Sequence, residues 1–159
     1  MGAINNAFNQ AAGAVAGAAL AIKHAKETEE SKMYTAENAA LVAKNQASTA
    51  EAESNEATHE AGKEGGLLDQ LVDANDDRLH AEKAYNKAVN RKNGSQATIF
   101  KKQEDLWAAQ EAEKALKGKF LALKDMQNRA VEQREHAKKA TQLAEKAQQK
   151  YQSRWGGIK

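Results

Sequence analysis

The longest regular pattern in the chain is a series of small or apolar residues seven apart: Ala109, Leu116, Leu123, Ala130, Ala137, Ala144 and Tyr151. A seven-residue repeat holds one face of a helix against a partner, so the series predicts coiled-coil-like association. The companion position is mixed, with Phe120, Gln127, Arg134, Thr141, Gln148 and Trp155. Narrow alanines beside Gln and Arg do not describe a leucine-zipper dimer. They fit a larger helical barrel or sheath in which some faces line a wet lumen. The helix carrying the series is expected from about Ser95, a suitable N-cap, to Trp155, where Gly156 and Gly157 end it. At 1.5 Å rise per residue such a helix is about 90 Å long.

A second pattern occupies the start. Ile4, Phe8, Val15 and Ile22, with Ala11, Ala12, Ala18 and Ala19, fall at spacings of three, four and seven, which is one helical stripe. Gly13 and Gly17 form a small-xxx-small pair that permits close backbone approach. Residues 1–22 carry no charged side chain. They lack the basic residues that precede the apolar run of a secretory signal. The strictly apolar run, Ala11–Ile22, has 12 residues, against roughly 20 for a membrane span. Contact with a membrane or with an assembly is expected here, through Ile4, Phe8, Gly13, Val15, Gly17, Leu20 and Ile22.

Between these patterns lie weaker ones. Residues 27–61 read as a polar, Ala-rich helix whose large apolar residues are Met33, Tyr34, Leu41 and Val42. Leu41 follows Tyr34 by seven, but Ser48 stands next, and the stripe fades into alanines. Gly62, Gly65 and Gly66 mark a hinge. Leu67 starts a helix with an apolar face of Leu68, Leu71, Val72, Leu79, Tyr85 and Val89, and Asn93-Gly94-Ser95 is the next break. The expected organisation is therefore an apolar Ala/Gly helix over 1–26, a polar helix over 27–61, a hinge with a short helix over 62–94, and a long basic helix over 95–159. The fold class is all-α: long extended helices with a Gly hinge, as a coiled-coil-like or helical-barrel homo-oligomer.

Composition sharpens this picture. Of 159 residues, 34 are Ala, 5% are aromatic and none is Pro. Proline would break helices, and alanine favours them. Alanines also bury little surface, so helices built this way are expected to complete their burial against neighbouring chains. Low hydropathy leaves intrinsic disorder of the isolated monomer open as well. Charge is uneven: residues 23–90 hold 8 Lys/Arg against 14 Asp/Glu, and residues 91–159 hold 16 against 8. The basic half is expected to meet something anionic, or the acidic half of a neighbour.

Candidate chemistry is sparse. There is no Cys, no HExxH, no phosphate loop and no nucleophile elbow, and no two of the four His stand at metal-ligand spacing. Asp73, Asp76 and Asp77 lack the order of a calcium loop. The expectation is a non-enzymatic protein with no catalytic residue, metal or cofactor. Helix association is assigned to Leu116, Phe120, Leu123, Ala130, Ala137, Ala144 and Tyr151. The lysines and arginines of the long helix, interleaved with acids and with many Gln, suit loose, sequence-independent contact with nucleic acid.

Met1-Gly2-Ala3-Ile4 with Gly13-Ala14-Val15-Ala16-Gly17, and the amide-rich basic stretch from Lys124 to Arg154, resemble the DNA pilot (minor spike) proteins of small single-stranded DNA phages, the microviruses. The resemblance is one of arrangement and composition, and short ejection proteins of tailed phages share it. In that family, copies form a helical barrel, lined by amide and guanidinium groups, that conducts the genome across the host envelope. The resemblance implies a virion-associated ejection protein, located in the virion interior and then in the host cell envelope. It also implies Gln127, Arg134 and Gln148 as lumen or DNA-contacting residues. The partners implied are other copies of itself, capsid or portal proteins, single- or double-stranded DNA without sequence preference, and the host membrane. Two alternatives stay open: a structural or scaffolding coiled coil, and an amphipathic protectant-like helical protein, for which a cytoplasmic location is expected.

Overall fold

The computed structural model describes residues 2–157. It is all-α, with three helices and, among the described residues, no strand: α1 (Gly2–Gly62), α2 (Leu67–Val89) and α3 (Gln96–Trp155). The expected boundary between a 1–26 helix and a 27–61 helix is absent, since α1 runs through it. The physical reason is local: Lys23 to Glu30 contains neither Gly nor Pro, and Lys, Ala and Glu propagate a helix once it has started.

The glycine hinge is a tight, capped turn. Gly65 has φ +75, the left-handed region open to glycine, and Gly66 approaches the end of α1 so closely that a Cβ there would lie 2.5 Å from the Glu60 carbonyl oxygen. The Gly65 N–H donates to Asp69 Oδ2 (2.9 Å), and Gln70 Nε2 donates to the Gly65 carbonyl (3.0 Å). Asp69 also places a negative charge in the first turn of α2, where the helix dipole favours it. At the second break Ser95 holds the N-cap position, its carbonyl accepting the Ile99 N–H at 3.1 Å.

The chain falls into two compact units, one made of Met1–Ala47 with Gln133–Lys159 and one of Ser48–Glu132. In the first, α1 and α3 run antiparallel around a seam of Ala43, Ala47 and Ala137, with Ala140 against it. Ala47 meets Ala137; eighteen residues back along α1 and eighteen on along α3, Glu29 meets Trp155. Both helices therefore keep step over five turns. Alanine is what lets two helices close so tightly, and each buried methyl contributes only about 0.8 kcal/mol.

In the second unit α2 is fastened to α3 by Arg78. Its guanidinium binds Glu113 and reaches Glu82 (3.2 Å) and Asn75 (3.0 Å) on its own helix. Glu113 is 3% exposed and also accepts Lys117 (2.7 Å). The Lys117 hydrogen bond, and then Arg78, hold its carboxyl below the usual carboxylate range, with desolvation opposing them.

Candidate functional site

All seven residues assigned to helix association turn inward. Ala130, Ala137 and Ala144 are buried, and Leu116, Phe120, Leu123 and Tyr151 are half-buried. Ala109, at the head of that series, is half-buried too. In the first unit their partner is α1 of the same chain. The stripe that α1 presents there is Met33, Ala40 and Ala47 with Glu29, Ala36 and Ala43. It is not the Tyr34–Leu41 line: Tyr34, Leu41 and Val42 are all more than half exposed. Side chains seven apart share a face, and the methyl face won the contact because it admits the closer approach.

Glu29 closes this seam. Trp155 Nε1–H donates to its Oε2 (2.6 Å), and Arg154 binds its other oxygen while its guanidinium lies 5.2 Å from the Trp155 ring centre. The Trp155 hydrogen bond is the main influence lowering the Glu29 pKa; desolvation opposes it and the Arg154 charge adds to it. At this contact the acidic half of the sequence meets its basic half within one chain.

Beyond Glu29 the same α1 register continues, half-buried at Lys26 and exposed from Ile22 back. Stepping back by sevens from Glu29 gives Ile22, Val15 and Phe8, and from Met33 gives Lys26, Ala19 and Ala12. Phe8 is 74% and Val15 71% exposed, and Ile4, Leu20 and Ile22 are exposed as well. Gly13 and Gly17 lie two residues either side of Val15, about 200° round the helix and so on its far side. A Cβ at either would meet nothing within 4 Å. The uncharged start of α1 is thus a bare helix with a bulky stripe on one side and a glycine pair on the other. Among the described residues no helix is long and apolar enough to cross a membrane.

The three residues assigned to a lumen have different surroundings. In the second unit, Gln127 is half-buried and its amide donates to Thr58 Oγ1 at 2.8 Å, so it serves the contact between α3 and α1. In the first unit, Arg134 is exposed, and Gln148 is exposed on the wall of a shallow groove of about 300 Å³ shared with Ala40, Leu41 and Ala144.

One feature escaped the sequence reasoning. From Lys83 to Gln103 the chain carries six Lys/Arg and no Asp or Glu. Counting charge in halves split at residue 90 hid this run; a sliding count would have found it.

The fold defines an all-α protein whose first unit closes around an alanine seam. Compared with protein-family models, with curated proteins and with solved structures, the chain matches none.

Proposed function

We propose that this chain is a virion-associated DNA pilot or ejection protein, which assembles with copies of itself into a helical conduit and helps to deliver phage DNA across a host envelope. The observation that carries the proposal is the bare stretch of α1. A seam register that continues bare and uncharged from Ile22 back to Phe8 suits contact with further copies and then with lipid. Ile4, Phe8, Val15 and Ile22 would form the association stripe, and Gly13, Gly17 and Leu20 the opposite side. The conduit would expose Arg134 and Gln148 to DNA. No catalysis is required of it.

The test uses the full-length chain. It should sediment as an oligomer and release dye from liposomes, and Phe8→Glu with Val15→Glu should reduce both. A chain that stays monomeric at high concentration and leaves liposomes intact refutes the proposal. A scaffolding coiled coil would self-associate without releasing dye.

A further inference from the structure

We propose that α2 pairs with α2 of a second copy of this chain, side by side and antiparallel. The outward face of α2 is charged in two halves. Ala74 is buried and Arg78 reaches Glu113 of α3, so these two mark the inner side. At about 100° per residue, Asp76 stands about 160° round the helix from both. Asp69, Asp76, Lys83 and Lys87 share that outward line to within about 40°, with Asp73 beside it. All five are exposed. The face is therefore acidic in its first half and basic in its second. Val72, 62% exposed, and Leu79, 42% exposed, lie seven residues apart along one edge of it.

Helix stability explains only the ends of this pattern. Asp69 in the first turn and Lys87 in the last suit the helix dipole, whose influence is confined to the terminal turns. Asp73, Asp76 and Lys83 stand further in. Like charges also recur four apart, as Asp69 with Asp73, Asp73 with Asp77, and Lys83 with Lys87. Opposite charges at that spacing steady a helix, and like charges weaken it. Among the described residues, Asp73, Asp76, Asp77, Lys83 and Lys87 form no ion pair, whereas Arg78, Glu82 and Glu113 do.

A face charged in this order is complementary to itself across a two-fold axis. Antiparallel pairing centred on Arg78 sets Asp69 against Lys87 of the other copy, Asp73 against Lys83 and Asp76 against His80, each twice over. Parallel pairing would set acid on acid and base on base. The acids alone would attract any cation and the lysines any polyanion; both on one face, in this sequence, fit a second α2. The pairing also takes Val72 and Leu79 out of water. With 23 residues, α2 is about 34 Å long, so a strip about 10 Å wide covers about 340 Å² per copy. A standard interface covers about 800 Å² per partner, so this dimer is weak and salt-sensitive. It uses a different helix from the α1 stripe and does not depend on the DNA or lipid role proposed above.

The parent for the experiment is the full-length chain with Phe8→Glu/Val15→Glu, which disables the α1 stripe. Sedimentation velocity across a concentration series should show a reversible monomer–dimer equilibrium. Raising salt from 0.1 to 1 M shortens the Debye length from about 10 Å to about 3 Å and should weaken the dimer. Adding Asp73→Lys/Asp76→Lys, or adding Lys83→Glu/Lys87→Glu, should each weaken it about tenfold or more, through like-charge contact. An equimolar mixture of those two variants should dimerise again. All four substitutions in one chain should bring self-association back to within about threefold of the parent. Helicity is checked by circular dichroism. If the aspartate reversal loses helix, Asp73→Asn/Asp76→Asn should still weaken the dimer about threefold. Direction is read by cross-linking, since the chain has no Cys. About Arg78, the two His80 positions lie about 6 Å apart along the helix axes and the two Asn90 positions about 36 Å. A short bis-maleimide should therefore link His80→Cys to its copy and leave Asn90→Cys unlinked.

A parent that stays monomeric, charge reversals without effect, or Asn90→Cys linking as readily as His80→Cys overturns the pairing. So does self-association lost only on lysine reversal and abolished by nuclease, which would mean that nucleic acid bridges the copies. If the unsubstituted chain oligomerises and releases liposome dye while the parent is monomeric, the α2 pairing falls and the conduit stands. A parent that pairs through α2, beside an unsubstituted chain that spares liposomes, does the reverse.

Discussion

Replacing Ala43 by Leu tests whether α1 and α3 really meet through methyl groups. Ala43 is 4% exposed and packs against Ala47 and Ala137. Leucine adds three carbons at the closest point of the seam. If the helices could part freely, each added carbon would contribute up to about 0.8 kcal/mol, and the protein would gain roughly 2 kcal/mol. The structure requires the opposite. Parting the helices at Ala43 strips contacts from the neighbouring alanines and pulls Glu29 away from Trp155, and overpacking of this kind costs about 1–3 kcal/mol. For a chain of this length that corresponds to a fall in Tm of about 2–12 °C. The assay is thermal unfolding followed by circular dichroism, at a fixed protein concentration because association would also shift the midpoint. Leu41→Ala, on the exposed side of the same helix, should move Tm by less than about 2 °C in dilute solution. A higher Tm for Ala43→Leu would refute the alanine seam and indicate an ordinary leucine-type core.

Two further outcomes follow from the turns and the buried carboxylates. Gly66→Ala places a Cβ against the Glu60, Ala61 and Lys63 carbonyl oxygens and should destabilise by about 1–3 kcal/mol, read by urea unfolding; Gly62→Ala, where nothing lies within 4 Å, should not. Glu29 and Glu113 have native pKa values below the ordinary 4.5, so the stability they contribute is complete above about pH 4.5 and lost as pH falls through those lowered values. Wild type should therefore lose more Tm between pH 6 and pH 3 than Glu29→Gln/Glu113→Gln, and equal losses would show that neither contact matters.

The helices themselves were legible in the sequence, because alanine, lysine, glutamate and glutamine favour them and only glycine interrupts. The α3 seam was legible too, since Leu116, Leu123 and Tyr151 mark a seven-residue line along which Ala130, Ala137 and Ala144 follow. The matching face of α1 was not. With 34 alanines, the line Ala40–Ala47 looks no different from any other, and attention goes to Tyr34 and Leu41, which the fold leaves outside. Nor could sequence reveal that α3 finds its partner in the same chain, because that depends on the turns at Gly65–Gly66 and Asn93–Ser95. The run of cations from Lys83 to Gln103 was hidden by a charge count split at residue 90, and only the turn at Asn93–Ser95 brings Lys87, Arg91 and Lys102 around one cleft.

The seam in the first unit has one more consequence. Methyl groups repeated every seven residues are nearly interchangeable, so sliding α1 along α3 by one heptad would again set alanine on alanine. One contact that fixes the alignment there is the attachment of Glu29 to Arg154 and Trp155. One step of such a slide is about 10 Å, seven residues at 1.5 Å each, and it would break that attachment.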